Sequence, residues 1–465
     1  MATKSILKRS LRRFGRDQQG NYAMMTAVLA PLLLLGVGYG LNIAQMTSAR
    51  SNLLAALDTA VTSTTRDISI GVIKPDKVEA SVRAFLVANG ERTFADAERI
   101  RLDEVITDPF RKTVMAKASV TIDVAFPLFG AASQQTVHAE SAAMYSDRKI
   151  EVAMMLDVTG SMKATAPVKN RKGEVTKAAT DKIGDLKAAA KDAVEALLSG
   201  NVHTADRVRV ALVPYAAAVN VGALAAKTIY EEPKSSSVLP PANYVPPATR
   251  KDNCATERKL EDGSADLSDD APDTIRRNFK AKEDYKALVN RDYGLSKSAC
   301  PSASVIPLST DETTLKSTID SFVASGNTAG GIGTQWTYYM LSPNWRTAIS
   351  DAGLGAGPAD RDPDKIAKIA ILMTDGEYNQ YYAGSSSATN ATDLCTRMKR
   401  DGIEVFTIGF ALSASESAAS RKTLKNCASP DTALTKHFYD AATGDELKRA
   451  FRDIVRNIER LALIR

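Results

Sequence analysis

Three residues with oxygen donors follow an apolar run near the middle of the chain. Asp157, Thr159 and Ser161 stand at alternate positions after residues 150–156, which read Ile-Glu-Val-Ala-Met-Met-Leu. One carboxylate and two hydroxyls are hard donors, and such donors suit Mg²⁺, which keeps several of its waters and prefers octahedral geometry. The pattern alone is short, and the same residues at the start of a helix would serve only as an N-cap. The segment is a candidate metal site that depends on what the fold adds to it.

Two later segments offer further oxygen donors. Residues 330–334 read Gly-Gly-Ile-Gly-Thr, and we expect them to form a loop that presents Thr334 before a helix. Thr328, which precedes the double glycine, is the rival to Thr334. Asp375 directly follows the apolar run 366–374. Ligands of an open α/β sheet bind outside the carboxyl ends of its strands, so residues that follow different strands meet at one edge.

Apolar runs and amphipathic segments alternate through residues 149–465, the predicted main domain. The run 150–156 is almost uniformly apolar, as expected for a strand that is buried on both faces. The further predicted elements are a helix at 176–199, a strand at 207–213, helix 311–325, strand 366–374, helix 388–400, strand 403–410 and helix 444–462. This alternation predicts an α/β fold with a doubly wound parallel sheet.

One stretch of the main domain, at about 221–305, does not alternate. It is rich in proline and charged residues, and a segment of this length without regular structure is usually an insertion. The four cysteines of the chain form no CxxC pair and have no histidine at zinc-finger spacing, which argues against structural zinc. We predict disulfides Cys254–Cys300 and Cys395–Cys427, because each pair lies in one local unit and an exported domain oxidises freely. Four buried free thiols are the alternative.

The N-terminal part contains an apolar segment of membrane-spanning length. No charged residue occurs from Gln18 to Ala49, and roughly 20 apolar residues are enough to cross the hydrocarbon core. A cleaved secretory signal is the alternative, but its apolar region would be shorter and followed by a small-x-small cleavage site. Since basic residues precede the segment, we expect residues 1–20 in the cytoplasm, a transmembrane helix at 21–45 and the remainder in the periplasm, on a single-pass inner-membrane protein.

Residues 46–148 separate the anchor from the main domain. Helical character continues through 43–70, and residues 77–90 read as a second helix. Apolar and polar residues then alternate strictly from Val114 to Phe126, which predicts a half-buried strand. The segment carries no chemical constellation, so we interpret it as a small α+β stalk.

Charge and histidine content argue against two classes of function. The net charge of +6 is concentrated in residues 1–20, where six basic residues and one acidic residue leave only about +1 for the rest of the chain. A nucleic-acid-binding face needs basic residues clustered on the folded body. The chain has three histidines, none near a plausible nucleophile, and no glycine-rich phosphate loop. We therefore expect no nucleic-acid binding and no enzymatic activity, and we predict that His437 is a packed or surface residue.

The segment that begins at Asp157, DVTGSM, resembles the metal-ion-dependent adhesion site (DxSxS) of von Willebrand factor A (vWA) domains, with Thr159 in place of the first serine. That family places a Thr from a second loop and an Asp from a third around the same metal. The resemblance implies one Mg²⁺ (or Mn²⁺) ion held by Asp157, Thr159, Ser161, Thr334 and Asp375. It also implies that two hydroxyls, those of Ser161 and Thr334 by position, contact the metal directly. The carboxylates of the family often act through water, and one position stays open for an acidic group of a partner.

The anchor and several further motifs extend the resemblance over nearly the whole chain. Arg12-Arg13, Gly20-Asn21, Pro31 and the GVGYG stretch at 36–40 look like the N-terminal region of TadE/TadG-like Flp pilus-assembly proteins. TadG-type members join such an anchor to a vWA domain. Their other recurring elements appear here as Val213-Pro214-Tyr215, Val219-Asn220-Val221-Gly222, Leu341-Ser342-Pro343, Met373-Thr374-Asp375-Gly376-Glu377 and Cys427-Ala428-Ser429. Pilins of this system carry a Glu at the fifth position after the processing glycine, where this chain has Met25, which favours a stationary anchor.

The resemblance implies a non-enzymatic, membrane-anchored component of Tad/Flp pilus assembly that binds other pilus-assembly proteins through a divalent-metal adhesion site. The alternative is a surface adhesin that binds a host or matrix ligand through the same site. Localisation and the neighbouring genes would separate the two hypotheses.

Overall fold

The computed structural model describes residues 19–463 apart from 70, 91–93, 95–98, 110, 128–132, 147, 173, 178, 202–205, 235–237, 248 and 413–416. The predicted cytoplasmic segment therefore lies almost wholly outside the described residues. The chain separates into two compact units, Met1–Tyr145 and Ser146–Arg465, and the second begins close to the predicted domain start at Lys149.

The first unit consists of two helices and a three-stranded antiparallel sheet in the order β1-β2-β3. Its elements are α1 (Gln19–Ser69), α2 (Val78–Gly90), β1 (Ile100–Asp108), β2 (Thr113–Asp123) and β3 (Gln134–Met144). Val114, Ala116, Ala118 and Val120 of β2 are buried, which confirms the alternation predicted for this strand.

Helix α1 continues past the predicted end of the transmembrane segment at residue 45. Residues 46–69 contain neither Pro nor Gly, so nothing interrupts the helix before Gly71, which has a φ of +75°. Large apolar side chains are exposed between Met24 and Ile43, and Leu33, for example, is 67% exposed. Leu53, on the second half of the helix, is fully buried. The first half of α1 is long and apolar enough to cross a membrane, two properties that it shares with secretion signals.

The second unit is built on one large sheet with helices on both faces. Its strands are β4 (Lys149–Asp157), β5 (Val168–Lys169), β6 (Val175–Lys177), β7 (Val208–Tyr215), β8 (Val219–Asn220), β9 (Ile229–Glu231), β10 (Cys254–Ala255), β11 (Ile275–Asn278), β12 (Glu283–Lys286), β13 (Val289–Arg291), β14 (Ile306–Ser309), β15 (Ile366–Thr374), β16 (Ile403–Phe410) and β17 (Phe438–Ala441). Its helices are α3 (Lys182–Leu198), α4 (Ala225–Thr228), α5 (Glu312–Asp320), α6 (Gly330–Tyr339), α7 (Arg346–Asp351), α8 (Ser387–Arg400), α9 (Ser417–Cys427) and α10 (Gly444–Leu463).

The large sheet has the strand order β10-β8-β7-β4-β15-β16-β17, and β14 also pairs with β7. Strands β7, β4, β15, β16 and β17 are parallel, whereas β8, β10 and β14 pair antiparallel. Helices α3, α5 and α10 contribute to the core on one face, and α6 and α8 contribute to the core on the other. The predicted doubly wound parallel sheet is confirmed at the centre, and the chain between β7 and α5 adds antiparallel strands at one side.

The glycine run at 330–334 is helical, which corrects the predicted loop. A side chain at Gly333 would place its Cβ 2.8 Å from the ring of Tyr215 and 3.0 Å from Met155. A Cβ on Gly331 would lie 2.9 Å from the carbonyl oxygen of Ser387. These glycines let α6 approach the sheet and its neighbours closely, so the run reflects close packing and not a flexible turn.

The segment predicted as an insertion, at about 221–305, has regular structure of its own. The hairpin β11–β12 and the parallel pair β9–β13 lie within it, and a Cys254–Cys300 disulfide links two of its parts. The buried guanidinium of Arg258 lies over the rings of Tyr339 and Trp345, at 5.2 Å and 5.7 Å from their centroids. The insertion is therefore packed onto the helical layer, and both predicted disulfides are confirmed, since Cys395 is bonded to Cys427.

Candidate metal centre

Asp157 is the last residue of β4, and its side chain is completely buried at the carboxyl edge of the sheet. Its Oδ1 accepts a hydrogen bond from the Thr159 amide at 2.9 Å. Its Oδ2 accepts hydrogen bonds from the Tyr215 hydroxyl at 2.9 Å and the Thr374 hydroxyl at 2.8 Å. Burial, and next the negative charge of Asp375, raise the pKa of Asp157 to about 6. The carboxylate is thus held in place by neutral donors, with no cation hydrogen-bonded to it among the described residues.

A continuous chain of hydrogen bonds leads from this loop to Asp375. The Thr159 and Ser161 hydroxyl oxygens are 2.9 Å apart, and the Ser161 hydroxyl donates to Asp375 Oδ1 at 2.5 Å. The Asp375 amide lies 3.3 Å from Asp157 Oδ2. The adjacent parallel strands β4 and β15 end side by side, which is why residues 218 positions apart in the sequence touch. Four of the five predicted site residues therefore converge.

Lys182 also belongs to this cluster, although the sequence motifs did not predict it. Its Nζ is 2.8 Å from Asp375 Oδ2, and its side chain is 21% exposed, whereas that of Asp375 is fully buried. The lysine is the first residue of α3, directly after the N-cap Asp181. No local motif marks it, because its role depends on α3 beginning beside the end of β15. Lys182 supplies one positive charge to a site with two carboxylates.

Thr334, the fifth predicted residue, is not linked to this cluster by any hydrogen bond among the described residues. Its hydroxyl donates to the carbonyl oxygen of Gly330 at 2.8 Å and lies 3.6 Å from the sulfur of Met155. The reason is the helical glycine run, which places Thr334 in the second turn of α6, where a threonine hydroxyl commonly bonds to the carbonyl four residues earlier.

Thr328, the rival residue, lies on the loop between α5 and α6 that runs beside the cluster. Within this loop, Ser325 donates its amide to Val158 O at 2.9 Å, and Gly326 O accepts the Gly160 amide at 2.9 Å. The carbonyl oxygen of Thr328 accepts the amide of Asn379, in the segment after Asp375, at 2.9 Å. The loop is thus bonded to the segments that carry both aspartates. The sequence analysis ranked Thr328 behind Thr334, because the glycine run between them was expected to be a loop that presents Thr334.

The donor set fits a hard divalent cation. Two carboxylates, those of Asp157 and Asp375, stand next to the hydroxyls of Thr159 and Ser161, and all these donors are oxygen. Burying two neighbouring carboxylates is unfavourable unless positive charge compensates them, and Lys182 compensates only one unit. A Mg²⁺ or Mn²⁺ ion would supply the remaining charge, and the few carboxylates suit an ion that keeps part of its water shell.

The other sets of potential ligands among the described residues do not form a competing centre. Asp252 lies close to Cys254 and Cys300, but the disulfide removes both thiols as ligands. His437 is buried, stacks on Phe406 at 4.7 Å and contacts Glu404 Oε1 through Nε2 at 2.7 Å. His437, predicted to be a packed or surface residue, is packed.

Comparison of the sequence with known families gives one match. A model of the von Willebrand factor type A domain matches residues 347–453, which include β15, α8, β16 and β17. No curated protein sequence matches the chain.

Several solved structures are similar to the chain at low identity. They include the pilus adhesin SpaC from Lactobacillus rhamnosus GG (12% identity, 77% of this chain, 34% of that chain, TM-score 0.35). They also include the vWF domain of the type V pili tip protein Mfa5 from Porphyromonas gingivalis (12% identity, 68% of this chain, 97% of that chain, TM-score 0.36). A third is the PilB minor pilin from Streptococcus sanguinis (13% identity, 78% of each chain, TM-score 0.33). The present chain spans about a third of the SpaC chain.

Proposed function

Since the chain contains a von Willebrand factor type A domain with an oxygen cluster at the carboxyl edge of its sheet, we propose that it binds protein partners through one divalent cation at that cluster. We further propose that it is a non-enzymatic, membrane-anchored component of Tad/Flp pilus assembly. The observation that carries the binding proposal is the convergence of Asp157, Thr159, Ser161 and Asp375 from two strand ends.

The assignment to pilus assembly is supported by the sequence motifs that resemble TadG-type proteins and by the apolar first half of α1. An anchor of this kind, preceded by basic residues, would keep the N-terminus in the cytoplasm and the second unit in the periplasm. Met25, at the position where pilins carry Glu, favours a protein that stays in the inner membrane over one that enters the fibre.

In the proposed site each residue of the chain has a distinct task. Asp157 and Asp375 supply negative charge, Ser161 and Thr159 present hydroxyl oxygens, and Tyr215 and Thr374 fix the orientation of Asp157. On the loop between α5 and α6, Thr328 is better placed than Thr334 to add a further hydroxyl. A bound metal ion would supply an electrophilic position for a carboxylate of the partner.

Complementation of a gene deletion tests the proposal in the cell. Asp157→Asn keeps the size of the side chain but removes its charge, and we expect it to abolish surface pili without loss of the protein from the membrane. Asp393→Asn, at an exposed position of α8, is the matched control and should restore pili. Normal pili with Asp157→Asn would contradict the pilus role of the site. If pili are unchanged but attachment to a host or matrix ligand is lost, the adhesin alternative is correct.

A further inference from the structure

A small hairpin lies in the chain between two residues of the candidate metal cluster, Ser161 and Lys182. It consists of β5, β6 and the turn residues Asn170–Lys172, and we call it the rim hairpin. Its base is closed by Thr165 and Thr180, whose backbones exchange hydrogen bonds at 2.8 Å and 3.1 Å. Thr165 follows Ser161 by four positions, which limits the distance between them to about 14 Å.

The chain segments before and after the rim hairpin contact the same carboxylate. Ser161, before the hairpin, donates to Asp375 Oδ1 at 2.5 Å. Lys182, after the hairpin, contacts Asp375 Oδ2 at 2.8 Å. The chain segment 161–182, which includes the rim hairpin, therefore starts and ends at the cluster.

The turn of the hairpin leaves its basic side chains available. Asn170 accepts the amides of Lys172 and Glu174 at 2.9 Å and 3.0 Å, and its own Nδ2 donates to Glu174 Oε2 at 2.7 Å. Glu174 is the only acidic residue between 163 and 177, a segment with five basic residues. Lys163, Lys169, Arg171 and Lys172 are exposed, and among the described residues none of the four has an ion-pair partner. The single carboxylate is thus held by an asparagine and does not neutralise its basic neighbours.

The net positive charge of the rim hairpin is higher than that of the remaining chain beyond residue 20. Beyond residue 20 the chain carries only about +1 in total, so the local excess on the hairpin is offset by acidic residues elsewhere. Unpaired charges around a binding site attract a partner of opposite charge and raise the rate of association. Segment 163–177 contains no aromatic residue and no Leu, Ile or Met, the side chains that anchor proteins in a lipid interface. An acidic protein segment therefore fits this surface better than an anionic membrane.

We propose that the rim hairpin docks an acidic segment of the protein partner, so that one carboxylate of the segment reaches the cluster and its neighbouring acidic side chains pair with Lys169, Arg171 and Lys172. The proposal rests on the proposed function, because it assumes that the cluster receives a carboxylate. It adds the chemical class of the partner. The partner would present a segment with several acidic residues in succession, and a lone aspartate or glutamate would not be enough.

A short poly-L-glutamate peptide tests this proposal on the full chain in neutral detergent with Mg²⁺. Replacing Lys169, Arg171 and Lys172 together by Glu should weaken peptide binding on the order of 10-fold or more at low salt, and the difference should shrink as salt screens the charges. The control changes the exposed Lys227, Lys280 and Lys297 to Glu, which alters the net charge equally and should leave the affinity nearly unchanged. Equal affinities for the two triple variants would overturn the proposal.

The same titration separates the hairpin from the metal centre. Peptide binding that needs Mg²⁺ and Asp157 but is unaffected by the hairpin changes would support the metal centre and refute the hairpin. Binding that is lost with the hairpin changes but persists in EDTA and with Asp157→Asn would support the hairpin and refute the carboxylate–metal contact. A soluble short-chain phosphatidylglycerol is the remaining probe, and if it binds the hairpin in preference to the peptide, the surface recognises lipid and the proposal is wrong.

Discussion

At the scale of single residues, the two carboxylates of the candidate centre differ in whether a positive charge lies beside them. Asp157 is surrounded by neutral donors, whereas Asp375 has both a hydroxyl and an ammonium group as partners. The sequence pattern predicted the aspartates and the hydroxyls of Thr159 and Ser161, because they directly follow strands. It did not predict Lys182, and it favoured Thr334 over Thr328, since both positions depend on where a helix begins relative to a distant strand.

Separate substitution of the two threonines by valine tests which of them is the metal ligand. Thr328→Val should weaken Mg²⁺ binding about 10-fold. This factor corresponds to the loss of about 1.4 kcal/mol of binding free energy, as expected for one neutral ligand or hydrogen bond. Thr334→Val should leave Mg²⁺ affinity unchanged and alter only the free energy of unfolding, because its hydroxyl bonds within α6. Calorimetric titration of both variants measures the difference. The reverse result would restore Thr334 as the ligand.

Lys182 gives a second prediction at this scale. Its ammonium group lies 2.8 Å from Asp375 Oδ2 and would repel a divalent cation bound nearby. Lys182→Met should therefore raise Mg²⁺ affinity several-fold and, without metal, lower the free energy of unfolding, because Asp375 loses its counter-charge. Lys187→Met, five residues further along α3, is the control and should do neither. A drop in Mg²⁺ affinity with Lys182→Met would mean that the lysine helps to build the site.

At the scale of elements, strands and the longer helices were predictable and the remaining elements were not. The apolar runs at 150–156 and 403–410 are strands because a central parallel strand is buried on both faces and tolerates few polar residues. The helix α6 was expected only after Thr334, because the glycines of its first turns suggest a loop. The close contacts with Tyr215 and Ser387 that require these glycines are not visible in the sequence. The short strand β17 and the antiparallel strands of the insertion are fixed by tertiary contacts and lack a strong pattern of their own.

The contact between the insertion and the segment after Asp375 gives a pH prediction. Glu257 Oε2 accepts the Tyr382 amide at 3.0 Å, while Oε1 is buried and has no hydrogen-bond partner among the described residues. Burial, opposed by hydrogen bonds and Lys259, raises the pKa of Glu257 to about 7 from 4.5. The folded state therefore holds this proton while the unfolded state releases it, so stability should fall by about 3 kcal/mol as the pH rises from about 4.5 to about 7.

Glu257→Gln removes that titration and should flatten this part of the pH dependence. The variant should be more stable than the unaltered protein at pH values above the pKa of Glu257, where the charged form is fully populated. Urea denaturation of both proteins under oxidising conditions across this pH range measures the effect. If the free energies of unfolding of the two proteins change with pH in parallel, the pKa of Glu257 is not raised.

At the scale of the whole molecule, the chain combines an apolar helix with a second unit that contains two disulfides. The apolar helix and the division into two units could be predicted from the spacing of apolar residues, and the disulfides from the grouping of the cysteines along the chain. The identity of the partner does not, because it depends on a second protein.

Protease treatment of spheroplasts tests the predicted topology. Protease added from outside should digest the chain beyond the membrane and leave a short fragment that includes residues 1–45, since basic residues precede the apolar segment. A cytoplasmic protein probed in the same sample controls for lysis. Full protection of the second unit would reverse the orientation, and a mature protein that lacks the apolar segment would identify it as a cleaved signal.

The most direct test of the central claim is a calorimetric titration of the full chain in detergent with Mg²⁺ and with Mn²⁺. A single saturable site at millimolar ion or below is predicted, and it should disappear with Asp157→Asn while both disulfides and the circular dichroism spectrum are retained. Bound metal should also raise the midpoint of thermal unfolding in proportion to the logarithm of its concentration. If neither ion gives saturable heat in the millimolar range, or if Asp157→Asn binds as well as the unaltered chain, Asp157 and Asp375 do not form a metal centre.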